Sequence, residues 1–442
     1  MTSPVTSAGC RRRWRHAGAV TAVVLAAVAA WSLRPLGAQR GGMFLGSLTD
    51  PAIAYATAPT DTVVDALNRR LADGSARLAF DGRSGYLASV LEALALPVDS
   101  QLLLFSKGSL QGRLIGPANP RALFFDDRVA LGWVRDADLL EVAVHDARAG
   151  VVFYTLEQTP RDRPQFAREF RCLGCHLTGD TLGVPGLLMF SSTPDGDDER
   201  HVTAVMRDHR DPLAERFGGW FVTGAPAAAG HRGNRVPALA AHAAGRLDST
   251  AGLYDPDGFR AASSDVAALL VLSHQAHLTN LLTRAAWDAR VLDPALHPGA
   301  AAATSPEALA TFMRAIAEEV VDYLLFVDEA PLPAPVHGGS AFAARMSARG
   351  PHDRRGRSLY QLDLERRLLR YPCSYLIYSP AFEALPALVK APIYQRLWDV
   401  LSGAVTSPRY AAALSPGDRR AIVEILGDTK TDLPPYFAAG RR

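Results

Sequence analysis

Cysteine is scarce in this chain, with four among 442 residues, at positions 10, 172, 175 and 373. Cys10 falls in an N-terminal segment that reads as a leader. Cys172 and Cys175 belong to a single motif, so only Cys373 is left over and a structural disulfide framework is excluded. A second C-x-x-C pair is also missing, and a four-cysteine zinc site with it. Charge of one sign is not in excess: Lys and Arg total 47 against 45 Asp and Glu. No basic stripe stands out, which argues against nucleic acid as a partner. No internal repeat is visible. The apolar share of 48% and the charged share of 21% are ordinary for a globular protein, and the length allows one large core or two modest ones.

Against this background one pentapeptide carries most of the information. Cys172-Leu173-Gly174-Cys175-His176 is the attachment signature of a c-type haem. The two-residue spacer matches the separation of the haem vinyl groups that the thiols add to, and the adjacent imidazole falls under the iron as proximal ligand. The rivals are two buried thiols beside an ordinary histidine, or half of a zinc site in want of a fourth ligand. The motif occurs once, so one covalent haem c is expected.

The N-terminus points to the same chemistry. Arg11, Arg12, Arg13, Arg15 and His16 form a positive region, Ala17 to Leu33 is an uncharged apolar run, and Leu36-Gly37-Ala38 resembles a cleavage site. Residues 1–38 therefore read as a signal peptide, or as an anchor if uncleaved, the run being short for a bilayer span. Covalent haem attachment in bacteria takes place outside the inner membrane, so both features place the chain in the periplasm or on the outer face of that membrane. Membrane association is expected only if the leader is retained. Removing a segment with five arginines and no acid turns the formal charge of +2 into a small negative one.

Residues 39–160 read as helices followed by a β-meander. Helical spacing covers Thr60–Leu71 and Gly85–Leu96, with Asp61 and Ser84 placed as caps. Gln101–Phe105, Arg121–Phe125, Val129–Val134, Leu139–Val144 and Val151–Leu156 read as strands separated by turn residues. Residues 161–330 form the haem region. It is irregular at first, with short strands at His201–Met206 and Gly219–Thr223, and then carries long helices Val266–Arg290, capped by Ser264 and Asp265, and Pro306–Val327, capped by Ser305. Residues 331–357 read as linker or loop, and 358–442 as a C-terminal helical part with helices at Tyr394–Leu401 and Pro416–Leu426. The fold class expected is α+β, an antiparallel meander before the haem motif and a mainly helical half after it, and not a small all-α cytochrome c fold alone.

The residue opposite His176 would decide the chemistry, because two strong axial ligands favour electron transfer and an open position permits reaction with small molecules. The candidates are Met189, His201, Met206, His209, His231, His274 and His277. His231 leads, since the glycines of Gly230-His231-Arg232-Gly233-Asn234 let backbone approach a flat ligand. His274 follows; with His277 it shares one face of a helix, a face that continues through Leu270 and Leu281 and so points inward. Arg207, His209 and Arg210 are candidates to hold haem propionates, and Trp220 to pack on the porphyrin. Cys373, in an apolar and aromatic run, reads as a buried, inert thiol.

The chain resembles large, exported, single-haem c-type proteins of bacteria, most of them uncharacterised. The resemblance spans most of the chain after the leader and rests on Leu131-Gly132-Trp133-Val134, the C-x-x-C-H motif, Leu182-Gly183-Val184-Pro185-Gly186, Gly218-Gly219-Trp220-Phe221-Val222-Thr223-Gly224, His231-Arg232-Gly233-Asn234, Ser264-Asp265-Val266-Ala267-Ala268-Leu269 and Tyr371-Pro372-Cys373-Ser374-Tyr375. Among these only the haem motif is specific. Phe221 stands where the family pattern has tyrosine. The resemblance implies haem binding and redox work without naming a substrate, and it adds weight to His231 and His274. The expectation is an exported haem protein in electron transfer, with a redox protein or small molecule as donor or acceptor. Two alternatives stand: a peroxidase- or oxygenase-like haem enzyme with an open or weakly held sixth position, and a haem sensor or respiratory subunit.

Overall fold

The computed structural model describes residues 48–195, 198–236, 247–296 and 305–441, all within one compact unit. The leader lies outside the described residues. No helix among them is long and apolar enough to cross a membrane.

The architecture is α+β: a six-stranded antiparallel sheet in the first half, then a helical half. It opens with α1 (Val63–Asp73) and α2 (Leu87–Ala93). Thr62 caps α1 in a capping box with Asp65, displacing Asp61, which pairs instead with Arg69. Ser84 makes no cap for α2 and hydrogen-bonds Asp81. Strands β1 (Leu102–Leu104), β2 (Arg121–Phe125), β3 (Val129–Trp133), β4 (Leu139–Asp146), β5 (Gly150–Glu157) and β6 (Ala167–Arg168) pair in sequence order, each antiparallel to the last.

Because side chains alternate across a strand, the register divides the sheet into two faces. Leu103, Phe124, Leu131, Val142, Val152 and Leu156 line one face and join α1 and α2 in a single apolar core. The other face carries Leu102 and Phe125 into the core of the helical half. Further along the same face come Arg121, Gly132, Glu141, Phe153 and Thr155. That second stretch is where the C-x-x-C-H segment packs, His176 against Phe153.

The chain leaves β6 into the one-turn helix α3 (Leu173–His176). It then forms a hairpin, β7 (Phe190–Asp195) with β8 (Asp198–Met206), of which only the second strand is legible as alternating sequence. Gly219–Thr223 is not a ladder strand; it touches neighbours through isolated bridges, Trp220 to Leu104 and Thr223 to Asp265. Helix α4 (Val266–Leu292) then runs through the molecule, buried on nearly every side. Asp265 caps it through Ala267 N–H and accepts three further bonds from the Gly339 and Ser340 backbone amides and the Ser340 hydroxyl. Leu269 of this helix lies in the core of the helical half and Trp287 in that of the sheet, so α4 is shared by both.

Helix α5 (Pro306–Leu324), capped by Ser305, packs on α4. Within the stretch read as linker lies a short helix, α6 (Phe342–Ala348), whose Phe342 and Met346 are buried. Its Ala- and Arg-rich sequence and flanking glycines conceal the helix, since only these two positions mark an apolar face. The C-terminal part comprises α7 (Pro380–Glu383), α8 (Ala387–Leu401), α9 (Pro408–Ala413) and α10 (Pro416–Thr429).

Candidate functional site

Helix α3 is too short to be stable alone; Cys172, Cys175 and His176 are placed by what surrounds them. Cys172 is its N-terminal flank and half-buried, whereas Cys175 is exposed, and both thiols are free. Burial pushes the Cys172 thiol up to about 12, with the carboxylates of Glu141 and Glu169 adding to the effect.

The His176 ring packs against Phe153 with centroids 4.8 Å apart. Its Nδ1 lies 2.8 Å from the carbonyl oxygen of Gly186. The Gly186 amide in turn donates to the His176 carbonyl at 2.9 Å, so the two residues are tied twice. With a carbonyl as partner, Nδ1 must be the protonated nitrogen, which leaves the lone pair on Nε2. Burial holds the imidazole below its ordinary pKa and so in the neutral form a metal would need.

Arg121 lies across Gly132 on the sheet face: a Cβ at position 132 would come within 2.6 Å of its Cζ. It pairs with Glu141 at 2.6 Å, and Glu141 also accepts from the Ser109 hydroxyl and the Leu110 amide. The charges of Arg121 and Glu141 are felt at both Cys172 and His176. The Arg121 Nε has no partner among the described residues. Phe170, two residues before Cys172, and Leu110 are among the large apolar side chains left exposed.

No family model, curated protein or solved structure matches this chain. What the site can hold is therefore argued from these side chains alone. They fit a c-type haem. Two free thiols are presented at the required spacing, a neutral imidazole has its Nδ1 anchored, and a guanidinium nitrogen is in want of an acceptor. Exposed apolar groups adjoin the motif. For bare metal the arrangement is poorer: among the described residues no three His, Cys, Asp or Glu side chains cluster to hold an ion.

The sixth-ligand candidates each have surroundings of their own. His231 is half-buried, its Nδ1 enclosed and 3.1 Å from where a Cβ on Gly233 would sit. Burial lowers its pKa to about 4. A Cβ on Gly233 would meet the Val222 side chain and the Trp220 carbonyl, so the protein's own packing requires glycine there. Asn234 completes that loop by bonding both the amide (2.7 Å) and the carbonyl (2.8 Å) of Val222.

His274 is fully buried, and both ring nitrogens are engaged: Nδ1 with His209 Nδ1 at 2.9 Å and Nε2 with the Ser374 hydroxyl at 2.8 Å. Tyr323 and Phe326 stack on its ring. In this arrangement His274 offers no nitrogen to an iron. The inward face read from its spacing is correct, but it serves a second cluster. There, His277 lies beside Tyr323 and 3.3 Å from the Arg210 guanidinium, and burial depresses His274 to about 3 and His277 to about 4. Arg210 is bound to Asp208, and Arg207 to Asp211 and Glu215. Both guanidinia have carboxylate partners, as Arg121 has in Glu141; what sets Arg121 apart is that its charge is felt at Cys172 and His176.

Met189 is buried core, and its amide meets the Met206 sulfur at 3.1 Å. The His201 side chain lies outside the described residues. Trp220 is buried with its indole N–H on the Phe190 carbonyl, and Phe221 packs on Phe105. Cys373 is fully buried, its thiol pushed up to about 12.

Proposed function

We propose that this chain is an exported c-type haem protein that takes part in electron transfer, working in the periplasm or on the outer face of the inner membrane. The observation that carries the proposal is the Nδ1 contact from His176 to the Gly186 carbonyl, in a residue already named by the C-x-x-C-H spacing. A metal-ligating histidine needs its second nitrogen anchored, which fixes tautomer and ring plane; His176 has that anchor, and its free nitrogen is Nε2.

Cys172 and Cys175 would hold the haem through thioethers, an S–H addition to each vinyl group that needs no oxidant. Phe153 and the Gly186 carbonyl hold the imidazole in place. Arg121, whose charge is felt at both Cys172 and His176, would face a propionate. When bound, the haem supplies a one-electron couple. The protein's part is to hold and tune it, through the axial imidazole, the charges of Arg121 and Glu141, and the degree of burial.

A second reading, a haem enzyme of peroxidase or oxygenase type, is favoured by one observation: both nitrogens of His274 are engaged, which removes a leading candidate for the sixth position. One spectrum tests both. The chain is produced with haem-maturation machinery, and its colour is followed through acid–acetone extraction. Colour that stays with the polypeptide, and is lost in Cys172→Ala/Cys175→Ala, supports thioether haem. Colour that extracts, or never forms, overturns the proposal. A low-spin native spectrum supports the carrier, and a high-spin one that shifts with cyanide supports the enzyme.

A further inference from the structure

Gly186 does not hold its own position. The segment that carries it turns away from α3 after Thr178 and passes directly under α4, where Asn280 meets it. Asn280 is fully buried. Its Oδ1 accepts the Leu187 amide at 2.7 Å and its Nδ2 donates to the Leu187 carbonyl at 2.8 Å, so one side chain satisfies both polar groups of a single peptide residue. The contact is close enough that a Cβ on Gly186 would stand 2.8 Å from the Asn280 Cγ and 3.0 Å from the Thr181 Cβ. Only hydrogen fits there. The other wall is also fixed, because the Thr181 hydroxyl bonds back to the amide and carbonyl of Thr178.

A carbonyl that bonds an imidazole can set its plane only if the carbonyl itself is immobile. Leu187 is the residue next to Gly186, and clamping both of its backbone groups fixes the peptide plane that bears the Gly186 carbonyl. A buried amide with all its hydrogen bonds made is stiff, and an unmade one is costly.

We propose that Asn280 is a positioning residue for His176, setting the orientation and hydrogen bonding of the proximal imidazole through Leu187 and Gly186. The inference rests on the haem reading of Cys172, Cys175 and His176. It assigns to the interior of a distant helix a part in tuning the site.

The test uses the full chain matured with haem. Asn280→Ala and the near-isosteric, uncharged Asn280→Leu, which fills the space without either hydrogen bond, are compared with Leu282→Ala, a core substitution on the same helix. Two readouts are taken besides stability: the reduction potential, and the haem-methyl proton shifts of the oxidised protein, which report the imidazole plane. The expected result is a raised potential and an altered methyl pattern in the Asn280 variants, since a weaker Nδ1 bond makes the imidazole a poorer donor. Leu282→Ala should lose comparable thermal stability with neither change. If Asn280→Ala does not fold, Asn280→Leu decides alone. Asn280 variants that lose stability and leave both spectral readouts at the wild-type values overturn the positioning role while the haem reading stands. A wild-type chain without covalent haem overturns both.

Discussion

The Nδ1 of His176 and the carbonyl of Gly186 stand 2.8 Å apart, while the amide of Gly186 returns a bond to the carbonyl of His176. A ten-residue excursion is thus closed at both the backbone and the side chain. The imidazole cannot rotate without breaking a bond in a loop whose other end is held by a buried helix. Gly186→Ala strikes this relationship directly. The added methyl meets Asn280 and Thr181 below contact distance, and overpacking of this kind costs about 1–3 kcal/mol. Chemical denaturation should show that loss, and a midpoint equal to wild type would mean the loop can shift freely.

Thiol accessibility follows from burial and needs no cofactor. In chain produced without haem-maturation machinery, alkylation followed by mass spectrometry should label exposed Cys175 first and Cys172 more slowly, because its thiol is half-buried and held up at about 12. Cys373, fully buried, should react only in denaturant. Early labelling of Cys373 would contradict its place in the core.

The ion pair on the sheet face supplies opposite charges to the same site. Glu141→Gln removes a carboxylate that favours the more positive, oxidised state, so the haem reduction potential should rise. Arg121→Gln should lower it. A single charge at an effective dielectric near 20, screened further by solvent, shifts a neighbouring redox group by on the order of tens of millivolts. Spectroelectrochemical titration of the two variants would settle the signs, and shifts in the same direction would refute the assignment.

Glu329 gives a pH dependence remote from the site. Burial raises its carboxyl from 4.5 to about 7, against the Leu368 amide and the charges of Arg216 and Arg367, which favour the anion. The folded chain therefore holds this proton more tightly than the unfolded one. Its contribution to stability is complete below pH 4.5 and is lost as pH rises through about 7. Glu329→Gln can keep the Leu368 bond through its amide oxygen and does not ionise. Between pH 5 and pH 8 the wild type should lose of order 1–3 kcal/mol relative to this variant. Parallel denaturation curves at the two pH values check the difference, and equal slopes would rule Glu329 out as its source.

The sheet was legible because its strands alternate and are punctuated. Arg121–Phe125 is recovered at both ends, and the other four expected strands fall within a residue or two of β1, β3, β4 and β5. Helix α4 was legible from its cap and its length. β7 was not, for Phe-Ser-Ser-Thr-Pro-Asp has neither alternation nor a β-branched run to mark it. At the site, Cys172, Cys175 and His176 announce themselves by local spacing. His274 was chosen on its helix face, which says where a side chain can point and nothing of what is already bonded to it; His231 was chosen on reach and loop chemistry. Asn280 gave no signal at all. An asparagine inside a helix reads only as a weak helix former, and its partner lies far away in sequence.

That separation also orders events in time. Asn280 and Leu187 are 93 positions apart, and closing a loop of that length costs roughly 4 kcal/mol of chain entropy beyond a constant. The two thiols and the imidazole, by contrast, are neighbours from the moment of synthesis. On the haem reading proposed above, attachment would be written into five consecutive residues and could precede folding, whereas tuning would await one of the slower, non-local steps of assembly. A chain caught between the two would be coloured but not yet calibrated, and its potential would drift to the native value only as the long helix docks.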